Sequence, residues 1–191
     1  MKRNPLWLVA AVILFGCSEQ LSEGLVSSGS LPISLTGSIN QQNLTRANEQ
    51  GFVTGDRMGI YIVDYVDGRP GQISTDNRAS NVIYTFDGEN YRWTAPTTIY
   101  WRDNTTPVDV YGYYPAANYI SDPSAFHFEV SVDQSLQQEG EMSSYEASDF
   151  LWGKTAGTSP TTETIMVRYS HRLAGVRVQL LKGEGMTDTE W

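Results

Sequence analysis

The sequence predicts an all-β protein, a two-layer sandwich with Greek-key connections. Short segments rich in β-branched and aromatic residues follow one another from residue 31 to residue 183, and turn-forming residues separate them. No stretch places apolar residues at three-and-four spacing over the roughly ten residues that an independent helix needs. A chain of 191 residues is long enough to bury one core of this kind.

The strand candidates begin with residues 31–39, where apolar and polar residues alternate with one slip at Gly37. The most distinct signal is the Asp87-Gly88-Glu89 turn, because Asp-Gly tolerates the positive φ of a hairpin. Residues 133–148 are the longest polar connection and leave room for a helical turn. The other candidates are 51–66, 81–86, 90–95, 98–102, 108–115, 125–132, 149–155 and 164–183.

The N-terminus has the pattern of a secreted lipoprotein. A cationic start is followed by an uninterrupted apolar run at 6–15, which is shorter than the about 20 residues of a membrane-spanning helix and suits a secretory signal. Cys17, the only cysteine, follows LFG, and this segment resembles a bacterial lipobox. An ordinary signal peptide with a coincidental cysteine is the alternative. We predict a signal peptide at 1–16, a lipid on Cys17, a flexible tether at 17–30 and a β-sandwich domain at 31–191.

Composition excludes several classes of function. Lys and Arg total 13 against 22 Asp and Glu, a net charge of -9, which disfavours a nucleic-acid partner because phosphate backbones are bound mainly by clustered cations. A single cysteine excludes an internal disulfide and a cysteine-based zinc site. We therefore expect no nucleic acid and no cofactor.

The search for catalytic chemistry favours a protein that is not an enzyme. His127 and His171 are the only histidines, and surface or sheet histidines are a better interpretation than a metal site. No GxSxG, HExxH, Walker or GxGxxG pattern is present. Turn chemistry explains the acids at strand ends more simply than a glycosidase pair does. These acids are Asp64, Asp67, Asp87, Glu89, Asp103, Asp109 and Asp122.

Aromatic residues keep a binding function open. Stacked rings would suit a surface lipoprotein that binds glycans or host proteins, although strand alternation places about half of such rings in a core. Replacing Trp93 or Trp101 would test this alternative. The candidate rings are Tyr91, Trp93, Tyr100, Trp101, Tyr111, Tyr113, Tyr114 and Trp152.

An ordered set of segments behind the lipobox resembles the fimbrillin-like lipoproteins of Bacteroides-type bacteria. These segments are GDRMGIY (55–61), NYRWTAPTTIYWRD (90–103), VDVYGYYP (108–115), SVDQS (131–135), SDFLWGK (148–154) and YSHRLAGVRVQL (169–180). The resemblance implies a subunit or accessory component of a type V pilus, with two transthyretin-like β-sandwich domains and no enzymatic activity. It also implies a surface-exposed lipoprotein of the outer membrane, or of the fimbrium itself.

The resemblance further implies polymerisation by strand exchange. A trypsin-like maturation protease would cut after Arg46, leaving Ala47 as the new N-terminus. The strand removed would be 31–39, with Leu31, Ile33 and Leu35 on its apolar face. A strand from another pilus subunit would take its place by β-augmentation, and repetition would give a head-to-tail polymer.

The sequence departs from the family pattern in two ways that bear on its expected role in the pilus. Members usually continue into a second domain, so the chain is expected to be the N-terminal domain of a longer protein. If the end at Trp191 is genuine, the protein would accept a strand without donating one, as a cap or anchor does. An anchor subunit would keep the lipid on Cys17.

Overall fold

The computed structural model describes residues 31–40, 51–136 and 142–174, and β-strands dominate these ranges. A 3-10 turn at Pro123–Ala125 and one helical turn, α1 (Ser144–Ala147), are the helical elements of the described residues. The all-β prediction is confirmed. The strands are β1 (Leu35–Ile39), β2 (Arg57–Val66), β3 (Arg69–Pro70), β4 (Asn77–Asp87), β5 (Arg92–Thr94), β6 (Val108–Tyr114), β7 (Leu151–Thr158) and β8 (Ile165–His171).

The strands are hydrogen bonded in the order β1-β8-β7-β6-β2-β4-β5, and the two-residue β3 pairs with the end of β2. β1 runs parallel to β8, whereas every other pair is antiparallel. β2, β4 and β5 succeed one another, and β6 then returns to lie beside β2, which is the Greek-key arrangement. β1 also contacts β5, so the path of strands curls and its two ends meet around one core.

The core follows from strand alternation, which sends every second side chain inward. On β2, Met58, Ile60 and Ile62 are fully buried, and Val110 on β6 and Val167 on β8 meet them. The opposite face of β2 is also covered, since Tyr61 and Val63 are buried outside this cluster. Burial on both faces explains why β2 reads as a nearly continuous apolar run.

The predicted hairpin is present as β4 and β5, but its turn differs from the expected one. Asp87 pairs with Arg92, and the positive φ falls on Tyr91 (49°) instead of on the Asp-Gly pair. The Asp87 carboxylate accepts the backbone N–H groups of Glu89 and Asn90 at 3.1 and 3.3 Å. A Cβ at Gly88 would lie 2.2 Å from Oγ1 of Thr54, so a larger residue there would displace this exposed side chain.

Two strand predictions are wrong. Residues 125–132 form no strand; Phe126 and Phe128 instead pack on Phe150, with ring centroids 5.5 and 4.7 Å apart. Alternation there reflects side-chain packing on the domain, without a backbone ladder. Residues 98–102 contribute only an isolated bridge between Tyr100 and Pro32.

The remaining predictions hold with shifted boundaries. The strand expected at 51–66 begins at Arg57, the one expected at 149–155 is β7, and the candidate 31–39 is a continuous strand only from Leu35. The last candidate, 164–183, corresponds to β8 as far as His171, and its end lies outside the described residues. The helical turn in the long polar connection is α1, begun by a capping box between Ser143 and Glu146.

Candidate functional site: the seat of the N-terminal segment

Residues 31–40 join two edges of the fold that are not hydrogen bonded to each other. The Ile33 N–H donates to the Ile99 carbonyl at 2.8 Å, and the Trp101 N–H donates to the Leu31 carbonyl at 2.9 Å. Further along, the segment changes partner and pairs with β8, from Leu35 opposite Ile165 to Ile39 opposite Tyr169. We call the strip between residues 99–101 and β8 the strand seat.

The side chains of the segment complete the core. Ile33 and Leu35 are 5% and 6% exposed, and Leu31 packs against the same cluster while half-buried. Burying a side chain of this size contributes roughly 1.5–3 kcal/mol. The partners in the cluster include Tyr84, Trp93, Ile99, Trp101, Ile165 and Tyr169. The seat is therefore an apolar groove that the chain fills with its own N-terminal strand.

Gly37 passes closely over the buried ring of Tyr169. A Cβ at Gly37 would lie 2.9 Å from Cε2 of Tyr169, a distance that real Cβ contacts essentially never show. The Tyr169 ring is fully buried, and its hydroxyl lies 2.9 Å from Sδ of Met58. On its far side the same hydroxyl faces Gly112, where a Cβ would lie 2.1 Å away. The ring is thus held between two glycines, one of them in β1.

An aromatic cluster forms the floor of the seat around Phe52. Its ring meets Trp93 at a centroid distance of 4.8 Å, Tyr114 at 5.5 Å and Tyr169 at 5.8 Å, all edge to face. Nε1 of Trp93 is buried without a hydrogen-bond partner among the described residues. It lies where a Cβ at Gly37 would be 3.4 Å away, so the groove beneath β1 offers one unused donor.

The seat is open at the side of β5. A cavity of about 500 Å3 lies between the segment, the end of β4 and the residues around β5, and Ile33, Leu35, Tyr84, Trp93 and Ile99 line it. Residues 31–39 contain no Asp, Glu, Lys, Arg or His. Docking of the segment therefore depends on main-chain hydrogen bonds and apolar burial, and not on charge.

Three of the six site residues predicted from the sequence lie among the described residues, and three do not. Leu31, Ile33 and Leu35 lie in the strand seat. Cys17, Arg46 and Ala47 lie outside the described residues. Sequence reasoning missed Gly37 and Tyr169 as parts of the seat, although the slip in alternation at Gly37 was a signal of the close contact.

About half of the candidate rings were expected in a core, and four of the eight are buried, Trp93 and Trp101 among them. Trp93 is 7% and Trp101 2% exposed, and the Trp101 indole N–H donates to the Thr161 carbonyl at 3.2 Å. Tyr113 and Tyr114 are buried as well, and Tyr111 and Trp152 are half-buried. Of the predicted rings only Tyr91 and Tyr100 are well exposed.

Several of the acids named from the sequence form hydrogen bonds and ion pairs within the fold. Asp109, 1% exposed at its side chain, binds Nζ of Lys154 at 2.6 Å and accepts the Gly157 N–H at 2.8 Å. Asp64 accepts two hydrogen bonds from Arg78, at 2.8 and 2.6 Å. Asp103 and Asp122 accept backbone N–H groups two residues onward, the turn chemistry that was predicted.

His171 lies 2.8 Å from Asp149, with both side chains buried, whereas His127 is exposed. The described residues contain no group of three His, Cys, Asp or Glu side chains that could hold a metal ion. Over the same ranges, none of the helices has the length and apolar character required to cross a membrane.

The fold and the seat define an all-β domain that holds its own N-terminal segment as a strand between two edges. Residues 45–190 match the model of the fimbrillin-like family, which is more than half of the 191-residue chain. The chain belongs to the fimbrillin-like family. The match begins after the segment 31–40, next to Arg46.

Solved structures give distant likenesses. A candidate cell adhesion protein from Bacteroides uniformis is 20% identical over 74% of this chain and 47% of its own, with a TM-score of 0.46. A fimbrial protein from Bacteroides ovatus is 20% identical over 74% of this chain and 29% of its own, with a TM-score of 0.46. A candidate cell adhesion protein from Bacteroides ovatus is 18% identical over 73% of this chain and 52% of its own, with a TM-score of 0.48.

The chain thus spans about half or less of the length of these structures. No curated protein matches the sequence significantly.

Proposed function

We propose that this protein is a structural or anchor subunit of a cell-surface pilus, assembled by β-strand exchange in the strand seat. Membership of the fimbrillin-like family supports a role in a pilus or in adhesion, and a structural instead of an enzymatic one. The observation that carries the exchange mechanism is the position of residues 31–39. They fill an apolar groove and connect two edges, yet precede the region that matches the family.

In this mechanism a protease cuts after Arg46 and converts β1 from part of the chain into a bound peptide. Loss of the peptide leaves the edge of β8, the backbone of residues 99–101 and the pockets of Ile33 and Leu35 unfilled. An unpaired apolar edge either accepts another strand or aggregates. A strand from a second subunit would restore both the hydrogen bonds and the burial. Head-to-tail contacts of this kind grow filaments when their rotation does not close.

Limited proteolysis tests the first step. We expect trypsin to cut the folded protein first after Arg46. Arg46→Ala should abolish this cut, whereas Arg46→Lys should keep it, since trypsin accepts either cation. Electron microscopy should show fibres after digestion of the wild type and of Arg46→Lys. It should show none after digestion of Arg46→Ala. A first cut inside residues 57–132, or fibres from the trypsin-treated Arg46→Ala protein, would refute the mechanism.

Peptide displacement tests the second step. After the cut, a labelled synthetic peptide of sequence LPISLTGSIN should enter the seat and become resistant to wash-out. The same peptide with alanine at the Gly37 position should bind less tightly, because its Cβ would approach the Tyr169 ring. Equal binding of the two peptides would show that the label reports on some other surface.

The proposed anchor is tested separately. We expect Cys17→Ala to release the protein from membranes and to abolish incorporation of labelled fatty acid. Cys17→Ser is the matched control, since it keeps the size of the side chain but cannot form the thioether. Fatty acid incorporation in either variant would remove Cys17 from the proposal and leave the exchange mechanism untouched.

A further inference from the structure

A second cavity lies away from the strand seat, between Tyr61 of β2, the start of β4 and the connection that follows β6. Its volume is about 410 Å3, within the range of small-molecule sites. Its lining residues are Tyr61, Ser74, Asn77, Ser80, Asn81, Asn118, Tyr119, Ile120, Ser121 and Pro123. We call this cavity the tyrosine cleft.

No charged side chain is among the described residues that line the tyrosine cleft. A phosphate or carboxylate would find no cationic partner in the lining, and the net charge of -9 disfavours anions generally. Hydroxyl and carboxamide groups make up most of the polar lining, and each of these groups both donates and accepts hydrogen bonds. The lining therefore suits a neutral ligand with many hydroxyl groups.

Tyr61 supplies a hydroxyl that opens onto the cleft and is not used in a hydrogen bond to the described residues. Its side chain is 5% exposed and lines the cleft, and its hydroxyl has no hydrogen-bond partner among the described residues. Burial raises the pKa of Tyr61 to about 12, with a smaller contribution from Tyr113, so the hydroxyl stays protonated at neutral pH. The hydroxyl both donates and accepts hydrogen bonds, and a ligand in the cleft can reach it.

The rim of the cleft carries further groups in a fixed orientation. Oδ1 of Asn118 accepts a hydrogen bond from Arg57 at 2.9 Å, which leaves the Asn118 amide N–H groups for a ligand. Oγ of Ser80 accepts from Asn77 at 2.8 Å, so its own O–H is able to donate. Asn81 holds the rim in place.

Asn81 fixes the rim by donating to the Ala117 carbonyl at 2.8 Å and by accepting a hydrogen bond from the Tyr113 hydroxyl at 2.6 Å.

At the mouth of the cleft, Tyr119 is 80% exposed. A sugar ring presents an apolar C–H face and an edge of hydroxyls, which match a free aromatic ring beside neutral hydrogen-bonding groups. We propose that the tyrosine cleft binds a short neutral saccharide. This proposal does not depend on strand exchange, because none of its residues lies in the strand seat.

Titration of the purified full-length chain with lactose, cellobiose, mannobiose and chitobiose, by calorimetry and saturation-transfer NMR, tests the proposal. We expect at least one of them to bind with a dissociation constant in the millimolar range or below. Tyr119→Ala should weaken that binding about tenfold or more. Tyr61→Phe should weaken it about three- to tenfold without lowering the melting temperature, since the hydroxyl has no protein partner to lose.

Tyr91→Ala is the matched control, because Tyr91 is 83% exposed and lies outside the tyrosine cleft. It should bind the sugar as the wild type does. Failure of all four saccharides to bind at millimolar concentration would overturn the proposal. Binding that is indifferent to Tyr61→Phe and Tyr119→Ala, or that falls equally in Tyr91→Ala, would overturn it as well.

Discussion

At the scale of single residues, Gly37 and Tyr169 form a close contact between β1 and the core. A Cβ at Gly37 would lie 2.9 Å from the buried ring, and the hydroxyl of the same ring packs against Gly112 on the other side. Interiors are packed closely enough that one added methyl group is felt. If the proposed exchange takes place, we expect a strand that replaces β1 to carry glycine at this register and apolar residues at those of Ile33 and Leu35.

The first prediction concerns Gly37. We expect Gly37→Ala to lower the free energy of unfolding by about 1–3 kcal/mol, because the methyl group displaces either the Tyr169 ring or β1. Urea denaturation of the full chain measures this difference. Ser38→Ala, one position along the same strand, is the control and should change stability by about 0.5 kcal/mol or less. Equal effects of the two substitutions would contradict the contact.

The second prediction concerns the Asp109–Lys154 pair. Burial alone raises the pKa of Asp109, but hydrogen bonds from Lys154 and the Gly157 N–H outweigh it and leave the pKa below the ordinary 3.8. Burial likewise lowers the pKa of Lys154, yet Asp109 and Tyr111 bring it above 10.5. The carboxylate therefore stabilises the fold above pH 3.8 and loses this effect as the pH falls through its lowered pKa. The ammonium stabilises below pH 10.5 and loses its effect as the pH rises through its raised pKa.

We accordingly expect Asp109→Asn to lower stability by about 1–3 kcal/mol at neutral pH. The difference from the wild type should shrink well below pH 3.8, where the wild-type carboxyl is protonated as well. Urea denaturation at both pH values measures it. Glu163→Gln removes an exposed carboxylate on the loop before β8 and serves as the control. A difference that stays constant with pH would mean that shape, and not charge, accounts for the loss.

At the scale of elements, two segments predicted as strands form no continuous hydrogen-bonded ladder. Residues 98–102 meet the N-terminal segment through one bridge, which consists of two backbone hydrogen bonds. Residues 126–132 lie on the domain through Phe126 and Phe128. Elements held in this way should open more readily than the central ladder of β2, β4 and β6.

The third prediction follows for Phe150, which contacts both of these phenylalanines. We expect Phe150→Ala to increase amide hydrogen exchange across residues 126–132 while leaving β2 and β6 protected, because the stacked contact at 4.7 Å is lost. Mass spectrometry of the exchanging protein measures the change. Phe150→Leu keeps an apolar contact and should show a smaller increase. Uniform deprotection of the whole domain in Phe150→Ala would show that the segment and the core open together.

At the scale of the whole molecule, the N-terminal segment closes the domain. β1 is the end of the path of strands, and it approaches β5 at the opposite end. The segment contributes two buried side chains and bridges two edges, so its removal opens the core along one side. A domain of this construction is complete only with a strand in the seat.

The fourth prediction tests this dependence. After the cut at Arg46, the segment becomes a ligand of the rest of the chain, and ligand stabilisation depends on concentration. We expect the melting temperature of the cut protein to rise with protein concentration, and that of the uncut protein to stay constant. Trypsin-treated Arg46→Ala is the control and should behave as uncut. A melting temperature that is independent of concentration after a complete cut would show that the segment adds no stability.

Local residue patterns were sufficient to predict the all-β class, the β4–β5 hairpin and the apolar face of residues 31–39. Strand periodicity and turn chemistry are properties of neighbours in the chain, so a single sequence exposes them. The ordered segments of the fimbrillin-like family extended this to a hypothesis of function. The same reasoning failed at 125–132, where alternation arises from packing on Phe150 and not from a ladder.

Only the tertiary structure decided what surrounds those elements. Partners distant in sequence, such as Leu35 with Ile165 or Asp109 with Lys154, depend on how the path of strands closes. The same closure buries Trp93 and Trp101, which the sequence alone left as candidates for exposure. It also brings Gly37 against Tyr169, and Tyr61 beside Asn118 and Tyr119. A local pattern fixes which face of a strand is apolar, whereas the packing of whole elements determines what that face meets.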